Sequence, residues 1–137
     1  MIEVTGDAWI HHPHTHICVL TNTRGVCGAG IALQAKNKCP GFQTQLQTFL
    51  RTYGPRLFIH HKYKLISFPT KHHWRDPSDL TLIQTSAEQL IGVLDKFQIN
   101  NVFLPRPGCG LGRLNWEQVK PILQPILDDR ISIITKH

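Results

Sequence analysis

The sequence predicts a single α/β domain built on a mostly parallel, buried sheet, and three observations carry that prediction. Six short β-prone runs alternate with stretches of helical periodicity, the helical stretches lie between strands, and glycine-rich loops follow two of the strands. The 137 residues, 41% of them hydrophobic, suffice for one full core and leave no room for a second domain of ordinary size. Residues 1–137 are therefore read as one domain.

Taken in order, the first strand is expected at Ile2 to Val4. Its segment, MIEVTGD, lacks a basic stretch followed by an apolar run and so does not read as a secretory signal. The second strand is expected at Ile17 to Thr21, and a helix begins after Gly30 and is closed by Pro40. A second helix covers about Phe42 to Tyr53, with Phe42, Leu46, Phe49, Leu50 and Tyr53 on one side and Gly54-Pro55 ending it. Strands follow at Leu57 to His60 and Leu65 to Phe68. The clearest helix carries Leu80, Ile83, Ala87, Leu90, Leu94 and Phe97, stepping by three and four so that one face packs on a sheet. Asp76 is expected to cap it, with Pro77 at the first helical position and Asp79 in the first turn. The strand Val102 to Leu104 and a last helix from about Asn115 come next, and Pro121 should bend or delay that helix. The chain closes on a strand at Ile131 to Ile134.

Fifteen Lys and Arg against nine Asp and Glu give a formal charge of +6, which favours polyanionic or phosphorylated partners. No run of about 18 apolar residues is present, so a membrane span is excluded and the expected location is the cytoplasm. Cys18, Cys27, Cys39 and Cys109 form no C-x-x-C pair and are expected to be reduced and unpaired.

The segment TNTRGVCGAGIALQAK places Gly25, Gly28 and Gly30 between an apolar strand and a helix. Amide hydrogens at a helix N-terminus point outward and the helix dipole favours negative charge, so this is how a phosphate site is built. A tight turn that needs glycine only for its backbone is the alternative. The spacing matches neither G-x-G-x-x-G nor a P-loop, which argues against a nucleoside triphosphatase. A second loop, LPRPGCGLGRLNW, repeats the design with Gly108, Gly110 and Gly112. Loops from separate strands converge beyond the carboxyl ends of an open α/β sheet, and a ligand with two phosphates and two sugars suits a cleft lined by backbone donors.

The stretch SFPTKHHWRD concentrates Lys71, His72, His73, Trp74 and Arg75 after a strand. A lysine amine attacks only when neutral, a state that partial burial and neighbouring cations favour, and an adjacent imidazole can move a proton near neutral pH. The alternative is a solvated basic loop anchored by Trp74. His11, His12, His14 and His16 alternate at strand spacing but have no Cys, Asp or Glu nearby to complete a metal-ligand pattern, so they read as exposed loop histidines and no metal is expected.

The residues VTGD at 4–7, TNTRGVCGAGIALQAK at 21–36, SFPTKHHW at 67–74 and LPRPGCGLGRLNW at 104–116 together resemble a macro domain over nearly the whole chain. The G-V-x-G-x-G-I-A and G-C-G-L runs resemble the branch that includes the terminal ADP-ribose protein glycohydrolases and the DarG antitoxin, which removes ADP-ribose from thymidine in DNA. The resemblance implies a three-layer α/β/α fold with a central mixed, mostly parallel sheet of about six strands. It also implies that Asp7 accepts a hydrogen bond from the adenine amino group and that Asn22 touches the distal ribose. Gly28, Ala29, Gly30 and Ile31 would form the first ligand-binding loop, and Pro107, Gly108, Cys109, Gly110, Leu111 and Gly112 the loop around the diphosphate and distal ribose. Lys71 falls on the lysine of covalent chemistry, and His73 resembles an assisting histidine of the DNA-acting members.

One departure bears on mechanism: the protein-directed members carry an Asp after G-C-G-L, where this chain has Gly112. That leaves Lys71 as the main chemical group. The expected function is an ADP-ribosyl glycohydrolase without a cofactor, acting as a monomer on ADP-ribosylated DNA or protein, with thymidine-linked ADP-ribose favoured. The resemblance also suggests functional pairing with an ADP-ribosyltransferase. The alternatives are a non-catalytic ADP-ribose reader, and a deacetylase or phosphatase of ADP-ribose metabolites.

Overall fold

The structure is a computed structural model and describes residues 1–136. Six strands, β1 (Ile2–Thr5), β2 (His16–Asn22), β3 (Phe58–His60), β4 (Leu65–Lys71), β5 (Val102–Pro105) and β6 (Ile131–Thr135), form one sheet in the order β1-β6-β5-β2-β4-β3. Every neighbouring pair is parallel except β3 with β4. The helices are α1 (Gly30–Lys38), α2 (Phe42–Tyr53), α3 (Leu80–Lys96) and α4 (Trp116–Leu123). Among the described residues no helix is long and apolar enough to cross a membrane.

Buried side chains fall into two clusters, one on each face of the sheet. Ile17, Val19 and Leu65 pack with Ala32, Ala35, Phe42 and Leu46 of α1 and α2. Cys18, Ile66, Phe68 and Ile133 pack with Ile83, Leu90 and Leu94 of α3 and Val119 and Leu123 of α4. Neighbours along one strand therefore go to opposite layers, as the period of two requires, and this produces the three-layer α/β architecture. Because both faces are covered, β4 is buried without interruption from Leu65 to Thr70. Pro69 is tolerated there because β3 ends its pairing opposite Ser67, so Pro69 lies beyond the neighbour that would have needed its N–H.

The chain runs outward from β2 through α1, α2 and β3 to β4, then crosses through α3 to β5 on the other side of β2. That reversal at β2 opens a crevice over the carboxyl ends of the strands. Next to it the β2–β4 register slips: Thr21 faces Pro69 but Asn22 faces Lys71, so Thr70 is an extra residue in β4. Such a bulge re-aims the residue after it, here Lys71.

The expected cap of α3 and the expected delay at Pro121 are corrected. Asp76 does not cap α3 and Pro77 lies before it. Asp79 is the cap, and its Oδ1 accepts the N–H groups of Thr81 and Leu82. The reason is tertiary: Ser78 N–H donates to the Gly112 carbonyl at 2.9 Å and Asp79 N–H to the Thr70 carbonyl at 2.8 Å, so this segment's backbone is spent on the late loop and on β4. Pro121 does not delay α4, which starts after Asn115 and runs to Leu123 with the proline inside. Only the carbonyl of Glu117, one turn earlier on an exposed residue, is left without its helical partner. All four cysteines are free, and burial pushes the Cys27 thiol up to about 11.

Candidate functional site

A cleft of about 920 Å³ lies over the carboxyl ends of the five parallel strands. Each strand contributes at its end or just past it: Asp7 after β1, Asn22 on β2, Lys71 on β4, Arg106 after β5 and Thr135 on β6. A volume in this range holds a ligand of drug or dinucleotide size.

Gly28, Ala29, Gly30 and Ile31 line one wall, and α1 starts at Gly30 with its first amides at the cleft. Gly30 has φ +55°, a left-handed conformation that glycine adopts without steric penalty. Gly25 does not line the cleft; it packs on α2, where a Cβ would stand 2.9 Å from Gln47 Cγ. Asn22 is buried and its amide is largely committed to this loop. Its Oδ1 accepts the N–H groups of Arg24 and Val26 and its Nδ2 donates to the Val26 carbonyl, which leaves one N–H for a ligand.

Gly108, Cys109, Gly110, Leu111 and Gly112 line the opposite wall. Pro107, expected with them, is buried outside the lining. Asp7 lines the far end; its Oδ1 accepts the N–H of Trp9 at 3.0 Å. Lys71 is half-buried and, among the described residues, its ammonium makes no hydrogen bond or ion pair. His73 is not in the lining. Its ring stacks on Trp74 with centroids 3.7 Å apart, and its Nδ1 accepts the N–H of Arg75. His72 instead bonds Asp79 Oδ2 at 3.0 Å, and that hydrogen bond is the largest cause holding the Asp79 carboxyl below its usual range.

Among the lining residues that the sequence does not single out, three stand out. Trp9 is fixed by an N–H donated to Gln34 Oε1 at 2.8 Å, from a helix 25 positions away. Arg106 lies over the Trp116 ring at 5.0 Å, with its Nη2 3.7 Å from Glu3 and its buried Nε without a partner. Of the three, only Arg106 had a signal, its place inside the proline-flanked start of the late loop.

Ser78 is the third, and it explains Gly112. A Cβ at position 112 would stand 2.3 Å from Ser78 Oγ and 3.1 Å from Ser78 Cβ. The backbone bond from Ser78 N–H to the Gly112 carbonyl keeps the two segments from parting. A side chain at position 112, such as the acid that the protein-directed members carry, would therefore have to displace Ser78. Gly112→Ala is expected to destabilise the fold by about 1–3 kcal/mol through overpacking, and Ser78→Gly in the same chain to restore most of it. Urea unfolding of the two single variants and the double variant checks this, and an unrelieved loss in the double variant would place the cost elsewhere.

Of the N-terminal histidines, His11 and His14 are exposed as expected, whereas His16 is half-buried at the start of β2; His11 stacks on Phe103 with centroids 4.3 Å apart, and His12 meets Trp9 edge-on and the Tyr63 carbonyl. Among the described residues no cluster of three His, Cys, Asp or Glu side chains could hold a metal ion.

No family model matches the chain. Among solved structures it is similar to the macrodomain of Mycobacterium tuberculosis DarG, with a TM-score of 0.82 at 30% identity, over 97% of this chain and 96% of that one. Among curated relatives, the DNA ADP-ribosyl glycohydrolase of Mycobacterium tuberculosis is 38% identical over 109 residues, 72% of this chain and 31% of the relative. A DNA ADP-ribosyl transferase-DNA ADP-ribosyl glycohydrolase fusion protein of Thermosipho africanus is 28% identical over 144 residues, 88% of this chain and 37% of the relative. The chain spans about a third of the length of these two curated relatives.

Proposed function

The chain belongs to the macro domain family, in the branch of the DarG macrodomains, and on that premise we propose that it is an ADP-ribosyl glycohydrolase that binds ADP-ribose and releases it from thymidine in DNA. The observation that carries this reading is a lysine at a strand bulge, without a partner among the described residues, inside a cleft whose two glycine loops and helix N-terminus suit a diphosphate. The DNA ADP-ribosyl glycohydrolase name carried by both curated relatives described above and the charge of +6 favour nucleic acid over protein as the carrier. Functional pairing with an ADP-ribosyltransferase fits the relative in which the two activities are fused.

In the proposed reaction the Lys71 nitrogen forms a bond to the anomeric carbon of the distal ribose. The bond from that carbon to the base nitrogen breaks, and its electron pair leaves with the base. The proton lost by the attacking nitrogen balances the one the base takes up. The sugar opens to a Schiff base, water adds to the imine carbon, and hydrolysis returns the amine and releases ADP-ribose.

The direct test is turnover of ADP-ribosylated single-stranded DNA and of an ADP-ribosylated glutamate peptide, side by side, with the wild-type chain. Release from DNA is expected, and release from the peptide alone would overturn the substrate assignment. A non-catalytic reader is the second reading, favoured by one observation: with His73 outside the lining and no acid at 112, Lys71 has no catalytic companion there. Binding without release from either substrate would establish it.

Asp7 is the proposed adenine reader. One of its carboxylate oxygens is already held by Trp9 N–H, so Asp7→Asn keeps an oxygen for the backbone while replacing an acceptor facing the ligand with a donor. ADP-ribose affinity is expected to fall by about 1.5–3 kcal/mol, the range for a hydrogen bond to a charged group, with ribose 5-phosphate unaffected. Calorimetry with both ligands checks this; equal losses would make Asp7 a support of the fold.

A further inference from the structure

Trp74 is 44% exposed and lines the mouth of the cleft three residues beyond Lys71. An indole left open beside a reacting group is a ready contact surface, because aromatic rings carry a large apolar area at little entropic cost. One face is already covered: the His73 ring lies against it at 3.7 Å between centroids, with 25° between planes. His73 is in turn fixed, since its Nδ1 accepts the N–H of Arg75 at 3.1 Å. The loop is tied down on both sides, by Arg113 Nη2 donating to the Arg75 carbonyl at 3.3 Å and by His72 bonding Asp79. The result is a two-ring layer at the cleft mouth, on a loop hydrogen-bonded on both sides.

Its surroundings are cationic. Arg75 follows Trp74 directly in the chain, Arg113 reaches the Arg75 carbonyl and Lys71 lines the same cleft as Trp74, while the acids nearby are Asp76, which is exposed, and Asp79, whose carboxylate is engaged by His72 and the start of α3. Flat π-surface bordered by arginines is the chemistry of single-stranded nucleic acid binding, in which bases stack on the ring and the phosphates meet the cations. An ADP-ribosylated carboxylate on a protein offers no flat face to such a surface.

We propose that Trp74, backed by His73, is the stacking platform for the nucleobase on the leaving side of the scissile bond. The proposal rests on the reading of Lys71 as the attacking group, which sets where the leaving base lies. It gives His73 a positioning role behind Trp74 in place of direct proton transfer. It also requires the modified base to be out of the duplex stack, since a paired base offers no free face.

The test compares Trp74→Ala and Trp74→Phe with the wild-type chain. For ADP-ribosylated single-stranded DNA, Trp74→Ala is expected to lower kcat/KM about ten- to a hundredfold, chiefly through KM, while Trp74→Phe keeps most of it. Any loss of free ADP-ribose affinity, or of turnover of an ADP-ribosylated glutamate peptide, should be at least about fivefold smaller than the loss on DNA, because neither places a base on the indole. Fluorescence anisotropy of a labelled, unmodified thymidine oligonucleotide reads the platform without turnover; its affinity should fall in Trp74→Ala and with added salt. Equal losses on both substrates, or unchanged behaviour toward DNA and oligonucleotide, would overturn the proposal. Oligonucleotide binding that depends on Trp74, in a wild-type chain that releases ADP-ribose from neither substrate, would remove the glycohydrolase reading and leave the nucleobase platform standing.

Discussion

Lys71→Ala is expected to lower release of ADP-ribose by at least about a thousandfold, the scale on which removal of a nucleophile acts. Affinity for free ADP-ribose should stay within about tenfold, roughly 1.4 kcal/mol, since the amine contributes mainly at the reacting bond. The fold should survive, because residue 71 is held through its backbone: it faces Asn22 in the sheet and its carbonyl accepts the N–H of Thr23 at 2.9 Å. Unchanged thermal unfolding of the variant would show that the loss is chemical. Lys71→Arg should not rescue it, because a guanidinium keeps its charge and cannot become a neutral nucleophile. Borohydride should trap a sugar adduct on the wild-type chain, and mass spectrometry should locate it at residue 71. Full release by Lys71→Ala, or a trapped adduct elsewhere, would remove the covalent mechanism.

Gly30→Trp is expected to weaken ADP-ribose binding by more than about a hundredfold, roughly 2.7 kcal/mol. A Cβ at position 30 would stand 3.5 Å from Leu111 Cδ1, so the two loops already approach each other there, and an indole would fill the space proposed for the diphosphate. Gly30 also has φ +55°, so any side chain costs stability, about 1–2 kcal/mol for the left-handed conformation. Gly30→Ala separates the two effects, because it carries the same backbone cost without occupying the cleft. The expected pattern is a similar loss of thermal stability in both variants, with the stabilisation conferred by ADP-ribose lost only in Gly30→Trp. Undiminished binding in Gly30→Trp would move the diphosphate away from the first loop.

The legible part of the fold is the part that depends on near neighbours. All six strands appear where short apolar runs stand, and α2 and α3 where apolar residues recur at three and four. The two glycine loops were legible for the same reason, since a strand, a glycine cluster and a helix follow one another directly in the chain. They face each other across the crevice because the strand order reverses at β2.

The misplaced cap of α3 shows where local reading stops. Asp76-Pro77 is an acceptable helix start by local preference, yet the amides of Ser78 and Asp79 are claimed by the carbonyls of Gly112 and Thr70, and the helix begins later. The site has the same character. His73 and Lys71 are two residues apart, but the bulge at Thr70 brings the lysine into the cleft while the histidine stacks behind Trp74. Trp9 depends on Gln34, and the vacancy of position 112 on Ser78, across 25 and 34 positions of chain.

The alternation of strands and helices, the two loops and the chemical types gathered near them are written into the order of residues, because periodicity and turn chemistry act over a few positions. Which of those side chains share the cleft, and what position 112 can carry, emerge on folding. Those outcomes follow from steric exclusion and from competition for backbone hydrogen bonds between segments that meet only when the chain is folded.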